Sequence, residues 1–209
     1  PVNNILHSLF SQVDVYLNQK LISPPNNTYA YKSYIETLLN YGPPAKASHL
    51  TCGLWYPDTP GKMDTTDDSN TGYKQRNAFT KESKEVDLIG HLNCDLFNQN
   101  KFLINGLELR VKLVRSRNNF ALMTTAPSKG KIQINNATLL IRRVKINPTI
   151  MLAHAKALEI STAKYPITRT EIKVLTLPAG VLSKSLDNIF LGQLPKRIAV
   201  CFVSNKAFN

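Results

Sequence analysis

The sequence predicts an all-β chain, a β-sandwich or barrel with a few short helices. Short apolar-alternating runs recur at near-regular spacing from Gln12 to Val203. Only two stretches, Tyr31–Asn40 and Thr149–Ile160, carry a strong helical period. At 209 residues, 43% apolar and 19% charged, the chain is long enough to bury a sizeable core.

The elements follow in order. Gln12–Leu17 (QVDVYL) alternates Val13, Val15 and Leu17 with Asp14 and Tyr16, the pattern of a half-buried strand. Asn18-Gln19-Lys20 turns it back into Leu21-Ile22, and Pro24-Pro25 end the hairpin. In Tyr31–Tyr41 the period changes, placing Tyr34, Ile35, Leu38 and Leu39 on one helical face. Gly42 suits the position just past that helix, and Pro43-Pro44 forbid its continuation. A second short helix is expected within Lys46–Trp55. Pro57–Lys84 reads as a long solvated loop in which Asp58, Asp64, Asp67 and Asp68 gather with a spacing that does not match a calcium-binding loop.

Strand patterns then dominate. Glu85–Leu92 alternates acids with Val86 and Leu88. Leu107–Leu113 has the cleanest period of two, with Leu107, Leu109, Val111 and Leu113 inward and Glu108, Arg110 and Lys112 outward, preceded by an Asn105-Gly106 turn. Phe120–Met123, Lys131–Ile134 and Thr138–Ile146 continue the series. Asn147 as N-cap and Pro148 at the first helical position open a helix that ends before Tyr165-Pro166. Thr168–Leu177 and Arg197–Val203 are strands again. The latter is a dense apolar run followed by a turn at Ser204-Asn205-Lys206, and its pairing partner is expected in chain beyond the 209 residues. A domain boundary is expected near 148–166.

Charge is lopsided. Residues 1–100 carry 8 Lys+Arg against 10 Asp+Glu, whereas residues 101–209 carry 18 against 4. A basic half of this kind points to a surface that meets a polyanion. Its candidate genome- or subunit-facing bases are Arg110, Lys112, Arg115, Arg117, Arg142, Arg143 and Lys145. In a sandwich each must reach solvent, an acid or another subunit, because a core does not tolerate an unpaired guanidinium.

Catalytic chemistry is not visible. His7, His49, His91 and His154 are isolated, without the spacing that places two imidazoles on one metal. Cys52, Cys94 and Cys201 are too scattered for a disulfide framework or zinc site, and fit a reducing compartment. No nucleophile elbow or phosphate-binding glycine loop is present. No catalytic, metal or cofactor residues are therefore assigned, and no enzyme activity or cofactor is expected. The longest apolar run is too short to span a membrane, and Pro1-Val2-Asn3-Asn4 lacks the features of a secretion signal. Aromatics gather at Tyr29, Tyr31, Tyr34, Tyr41, Trp55 and Tyr56, away from the basic strands, as anchors for helices and loops.

Several stretches together, NNILHSLFSQVDVYLNQKLISPPNNTYAYKSYIETLLNYG, LTCGLWYPDTPGKMD, LRVKLVRSRNNFALM, LIRRVKINPTIMLAHAKALEISTAKYPITR and GQLPKRIAVCFVSNKAFN, resemble the major capsid protein of Polinton (Maverick) elements and related adintoviruses. The resemblance implies a double jelly roll similar to adenovirus hexon and virophage capsid proteins, with the second roll incomplete here. Residues 1–147 would supply most of the first roll, 148–166 a linker helix, and 167–209 the start of the second. It further implies a structural subunit of homotrimeric, pseudohexameric capsomers in an icosahedral virion shell, made inside the host cell and not secreted. Its expected partners are neighbouring capsomers, a minor capsid or penton protein, and non-specifically packaged double-stranded DNA. The alternative is a basic β-sandwich that binds nucleic acid or another polyanion directly.

Overall fold

A computed structural model describes residues 1–123 and 130–204. Its sheet is small and open. β1 (Phe10–Leu17) pairs antiparallel on one side with the two-residue β2 (Lys20–Leu21) and on the other with β3 (Leu109–Arg115), in the order β2-β1-β3. The hairpin turn is Asn18-Gln19, both at positive φ (46° and 67°), the conformation of a two-residue turn whose twist matches its strands. The β1–β3 register places Asp14 opposite Lys112 and Val15 opposite Val111, with an irregularity between Phe10 and Gln12.

Helices make up most of the remaining regular structure. α1 (Ile5–Ser8), α2 (Tyr29–Asn40), α3 (Pro43–Ala47), α4 (Thr71–Thr80), α5 (Asn118–Ala121) and α6 (Pro148–Ile160) are accompanied by short 3₁₀ turns at His49–Gly53, Lys81–Ser83 and Asp95–Asn98. α3 begins at the proline pair, with Gly42 extended as its N-cap and not left-handed at the end of α2. α6 starts as its sequence dictates: the Asn147 side chain accepts from the Thr149 N–H at 3.1 Å, and Pro148 sits where no intrahelical donor is needed.

This architecture corrects the expected fold. An all-β double jelly roll needs two sandwiches of paired strands, and the described residues contain one three-stranded sheet among six α-helices. Val86–Leu92, Leu139–Ile146, Glu171–Leu177 and Arg197–Val203, expected as strands, form no ladder. Phe120–Met123, also expected as a strand, overlaps α5, and the loop expected over Pro57–Lys84 contains α4. Period-two patterning favours extended, two-faced backbone, but a strand exists only where a second backbone satisfies its N–H and C=O groups. Among the described residues a single backbone–backbone bond, from the Ile89 N–H to the Cys52 carbonyl at 3.2 Å, joins one of these four segments to a distant part of the chain, which is too little for a ladder. The turn expected after Val203 falls, from Asn205 onward, outside the described residues.

Two clusters form the core, and all their buried members lie at or before Ala121. Val13, Val15, Tyr29, Cys94 and Leu96 pack together against the sheet, flanked by Leu109, Val111 and Ile167. Ile5, Leu9, Leu54 and Ala121 form the second cluster, with Leu88 and Ile132 at its margin. The aromatic side chains brace the helices and loops: Tyr34 lies 5.2 Å from Trp55, which is only 1% exposed, and Tyr56 stacks on Phe79 at 6.0 Å.

Candidate interaction surface

The N-terminal part of the chain carries its unusual chemistry inside. α2 buries Tyr29, Ala30, Lys32, Ser33 and Thr37, while Leu38 and Leu39 face solvent. Of the face that apolar periodicity selects, Tyr34 and Ile35 are half-buried and only Leu38 and Leu39 lie outside. Polar side chains compensate one another on the buried side. Ser33 Oγ accepts from Asn4 Nδ2 at 3.1 Å and from Asn93 Nδ2 at 2.5 Å. Lys32 Nζ meets Asp95 Oδ1 at 2.5 Å and Glu36 Oε1 at 3.9 Å, and the other Asp95 oxygen accepts from the Thr170 N–H at 3.1 Å. Burial raises the Glu36 carboxyl above its ordinary value, and the nearby Lys32 charge only partly opposes it.

His7 Nδ1 lies 3.0 Å from Tyr29 Oη, which also accepts from the Asn93 N–H at 3.4 Å. The phenol oxygen can accept from the Asn93 N–H while donating to or accepting from His7 Nδ1, according to the imidazole tautomer. Burial, with a smaller contribution from His91, lowers His7 to about 4. The same burial raises Tyr29 and pushes the Cys94 thiol up to about 11, leaving it protonated at neutral pH. A cavity of about 500 Å³ opens beside this network, between the sheet face at Val13 and Val15 and the segment 167–173. Its charged lining comprises the Lys32–Asp95 pair together with Arg169, Glu171 and Lys173.

The loop from Pro57 is built around two buried side chains that sequence reading did not single out. Asn70 caps α4 by accepting from the Tyr73 N–H at 3.3 Å, accepts from the Thr59 N–H at 3.2 Å, and donates to Asp58, Lys62 and Thr65. Arg76, 0% exposed, donates to Asp58 Oδ1 at 2.6 Å, to the Pro1 carbonyl at 3.0 Å and to the Tyr56 carbonyl. Gly72 lets this loop approach, since a Cβ there would collide with the Pro57 carbonyl. The available signal was Asn70 before a polar helical stretch, an N-cap pattern inside a segment read as loop.

The second half is arranged oppositely. Arg110, Lys112 and Arg115 lie on β3 and are exposed, as is Arg117 at the N-cap of α5. Arg110 sits 5.3 Å from the centre of the Tyr16 ring, and Arg115 donates to Asn118 Oδ1 at 3.1 Å. Arg142, Arg143 and Lys145 are exposed on a segment without regular secondary structure, so the two-faced placement expected of them has no sheet to refer to. The ion pairs among the described residues join Lys32, Lys74 and Arg76 to acids, and none involves these seven bases. Large apolar groups share this exposure: Leu140 is 75% exposed, Ile160 90%, Leu194 93% and Phe202 84%. The segment touches the folded part at a few points, such as Tyr165 Oη accepting from the Ile104 N–H at 3.0 Å.

Among the described residues no His, Cys, Asp and Glu side chains gather as a metal site, and no helix is long and apolar enough to cross a membrane. The chain is 25% identical to an uncharacterized protein of Caenorhabditis elegans over 218 aligned positions, covering 100% of this chain and 49% of the relative. The chain thus spans about half the length of the curated relative it matches. No known protein family and no solved structure matches it. Together with the open sheet, these findings overturn the Polinton-type capsid reading, its pseudohexameric capsomers and virion shell, and the alternative of a basic β-sandwich. Both required paired sheets that the described fold lacks.

Proposed function

We propose that the chain is a non-enzymatic binding protein that assembles with a protein partner, in the first instance a second copy of itself, through residues 130–204. The observation that carries this is the absence of any buried position among the described residues of that segment, despite its apolar content. Contiguous apolar surface beyond a few hundred Å² marks an interaction site on a soluble protein. Each Å² removed from water on a partner contributes roughly 25 cal/mol, so covering several leucine-sized side chains is a sufficient driving force. A binding role without catalysis is supported by the pairing of the buried charges with one another and by the raised, unreactive Cys94 thiol. Three free cysteines favour a reducing compartment inside the cell.

Sedimentation velocity across a wide concentration range, on wild type and on Leu140→Ser/Phe202→Ser, tests the proposal. Association that the double substitution weakens is the expected result. Association unaffected by it, or a wild-type monomer at every concentration, contradicts the proposal.

A second reading is favoured by Arg142, Arg143 and Lys145, exposed and outside the ion pairs of the described residues. They suit phosphates, so binding to duplex DNA would be independent of sequence and fall steeply with salt. Fluorescence anisotropy with two unrelated duplexes decides it. Equal affinities that drop with salt support DNA contact, whereas no binding at low salt excludes it.

A further inference from the structure

We propose that the outer edge of β3 is a docking site for segment 85–88 of a second copy of this chain. Which backbone groups of β3 face outward follows from its hydrogen bonds to β1. The Asn18 N–H donates to the Glu108 carbonyl at 3.0 Å, and the Ser116 N–H donates to the Leu9 carbonyl at 2.8 Å. The Val114 carbonyl accepts from Ser11 Oγ at 3.3 Å on the same side. Even-numbered positions therefore face β1, and the N–H and C=O groups of Leu109, Val111, Leu113 and Arg115 face away from it. β3 is the last strand on that side of the sheet. An exposed row of such groups is a template for another strand.

The side chains specify which strand fits. Arg110 and Lys112 project from one face of β3 and are exposed, while Leu109 and Val111 lean on the core from the other. Edge-to-edge pairing of two β3 strands would set basic residues against one another, which opposes that symmetric arrangement. An incoming strand fits when acids two residues apart lie beside Arg110 and Lys112 and apolar residues continue the core face. Glu85-Val86-Asp87-Leu88 has this pattern. It belongs to no ladder among the described residues and its two acids are exposed, while Val86 and Leu88 are half-buried. Leu88 lies at the margin of the second cluster of its own molecule, so docking moves it from that margin to the core face of the partner's sheet. Glu85 accepts from Asn135 Nδ2 at 2.8 Å on the open surface, a neutral contact that a guanidinium or ammonium can replace. Within one molecule segment 85–88 and β3 do not pair. Because the surfaces differ, the contact is heterologous and either closes reciprocally into a two-fold dimer or propagates. It does not draw on the exposed apolar side chains of residues 130–204, so it is independent of the function proposed above.

The test uses the full chain in two charge-reversed forms, Arg110→Glu/Lys112→Glu and Glu85→Lys/Asp87→Lys, with Lys112→Glu alone as a milder variant. Thermal melting checks that each is folded. Each double variant alone is expected to associate at least about tenfold more weakly than wild type, and an equimolar mixture of the two to recover association. Residue-resolved hydrogen exchange should show Leu109, Val111 and Leu113 amides gaining protection on association, while Arg110 and Lys112 amides are protected already. A mixture that does not recover, variants that associate like wild type, or unchanged exchange at the odd positions overturns the proposal. Loss of duplex DNA binding in Arg110→Glu/Lys112→Glu, without self-association of the wild type, also overturns it and assigns the edge to nucleic acid.

Discussion

Residues 1–123 and residues 130–204 are both rich in apolar and charged side chains, yet they treat them in opposite ways. The first region buries even its polar groups: Asn70, Ser33 and Arg76 are fully enclosed, each with several hydrogen-bond partners. The second exposes even its leucines. Apolar content does not by itself make a core. A core also needs backbone partners and a second layer, and the first region obtains both from one three-stranded sheet and the helices around it.

The comparison breaks most visibly where buried charge is removed. Arg76→Ala leaves Asp58 and two backbone carbonyls without their donor, and chemical denaturation should show a loss of about 3–5 kcal/mol. A loss below about 1 kcal/mol would mean that the loop from Pro57 is not part of the cooperative unit.

Acid should loosen the same region. The folded-state pKa of His7 lies below its ordinary value of 6.5, at about 4, so on acidification the unfolded chain takes up a proton that the native state refuses. The native state therefore has its full stability above pH 6.5 and loses up to about 3 kcal/mol as pH falls toward 4, beyond which both states are protonated. His7→Gln should flatten this part of the stability–pH curve. An unchanged slope would place the titration elsewhere.

Gly72→Ala is expected to cost about 1–3 kcal/mol, since the new methyl must displace Pro57 backbone and not a flexible side-chain end. A melting temperature equal to wild type would show that the loop shifts freely.

The smallest effect belongs to the second region. Ile160→Ser or Leu194→Ser should change unfolding free energy by no more than about 0.5 kcal/mol, because neither side chain is buried. A large loss in a dilute sample would show that these residues are packed within the monomer.

What could be read from the sequence divides along related lines. Local signals were legible. The hairpin at Asn18-Gln19, the Asn147-Pro148 helix start and the helix around Tyr31–Asn40 depend on neighbours a few residues away. Tertiary choices were not. Apolar periodicity selects Tyr34, Ile35, Leu38 and Leu39 as the inner face of α2, and the first two are half-buried, but the fully buried stripe is Tyr29, Ser33 and Thr37, because Asn4, Asn93 and Asp95, distant in sequence, satisfy it and Lys32. Alternation at Leu139–Ile146 and the dense apolar run at Arg197–Val203 gave no sheet, since pairing depends on partners that neither pattern specifies. The bases at Arg110 and Lys112 were legible as outward on a strand, whereas the open edge beside them was visible only in the sheet order.

Hydrogen exchange over the whole chain, in dilute and concentrated samples, separates a region that folds on itself from one that needs a partner. In dilute solution the Asp14 and Tyr16 amides, which face β3, should exchange only through unfolding, while those of 139–146, 171–177 and 197–203 exchange as in an unstructured peptide. On association the latter three should gain protection with β1 unchanged. Strong protection of all three in a dilute monomer would contradict the account, because these residues would then have found their partners within the chain.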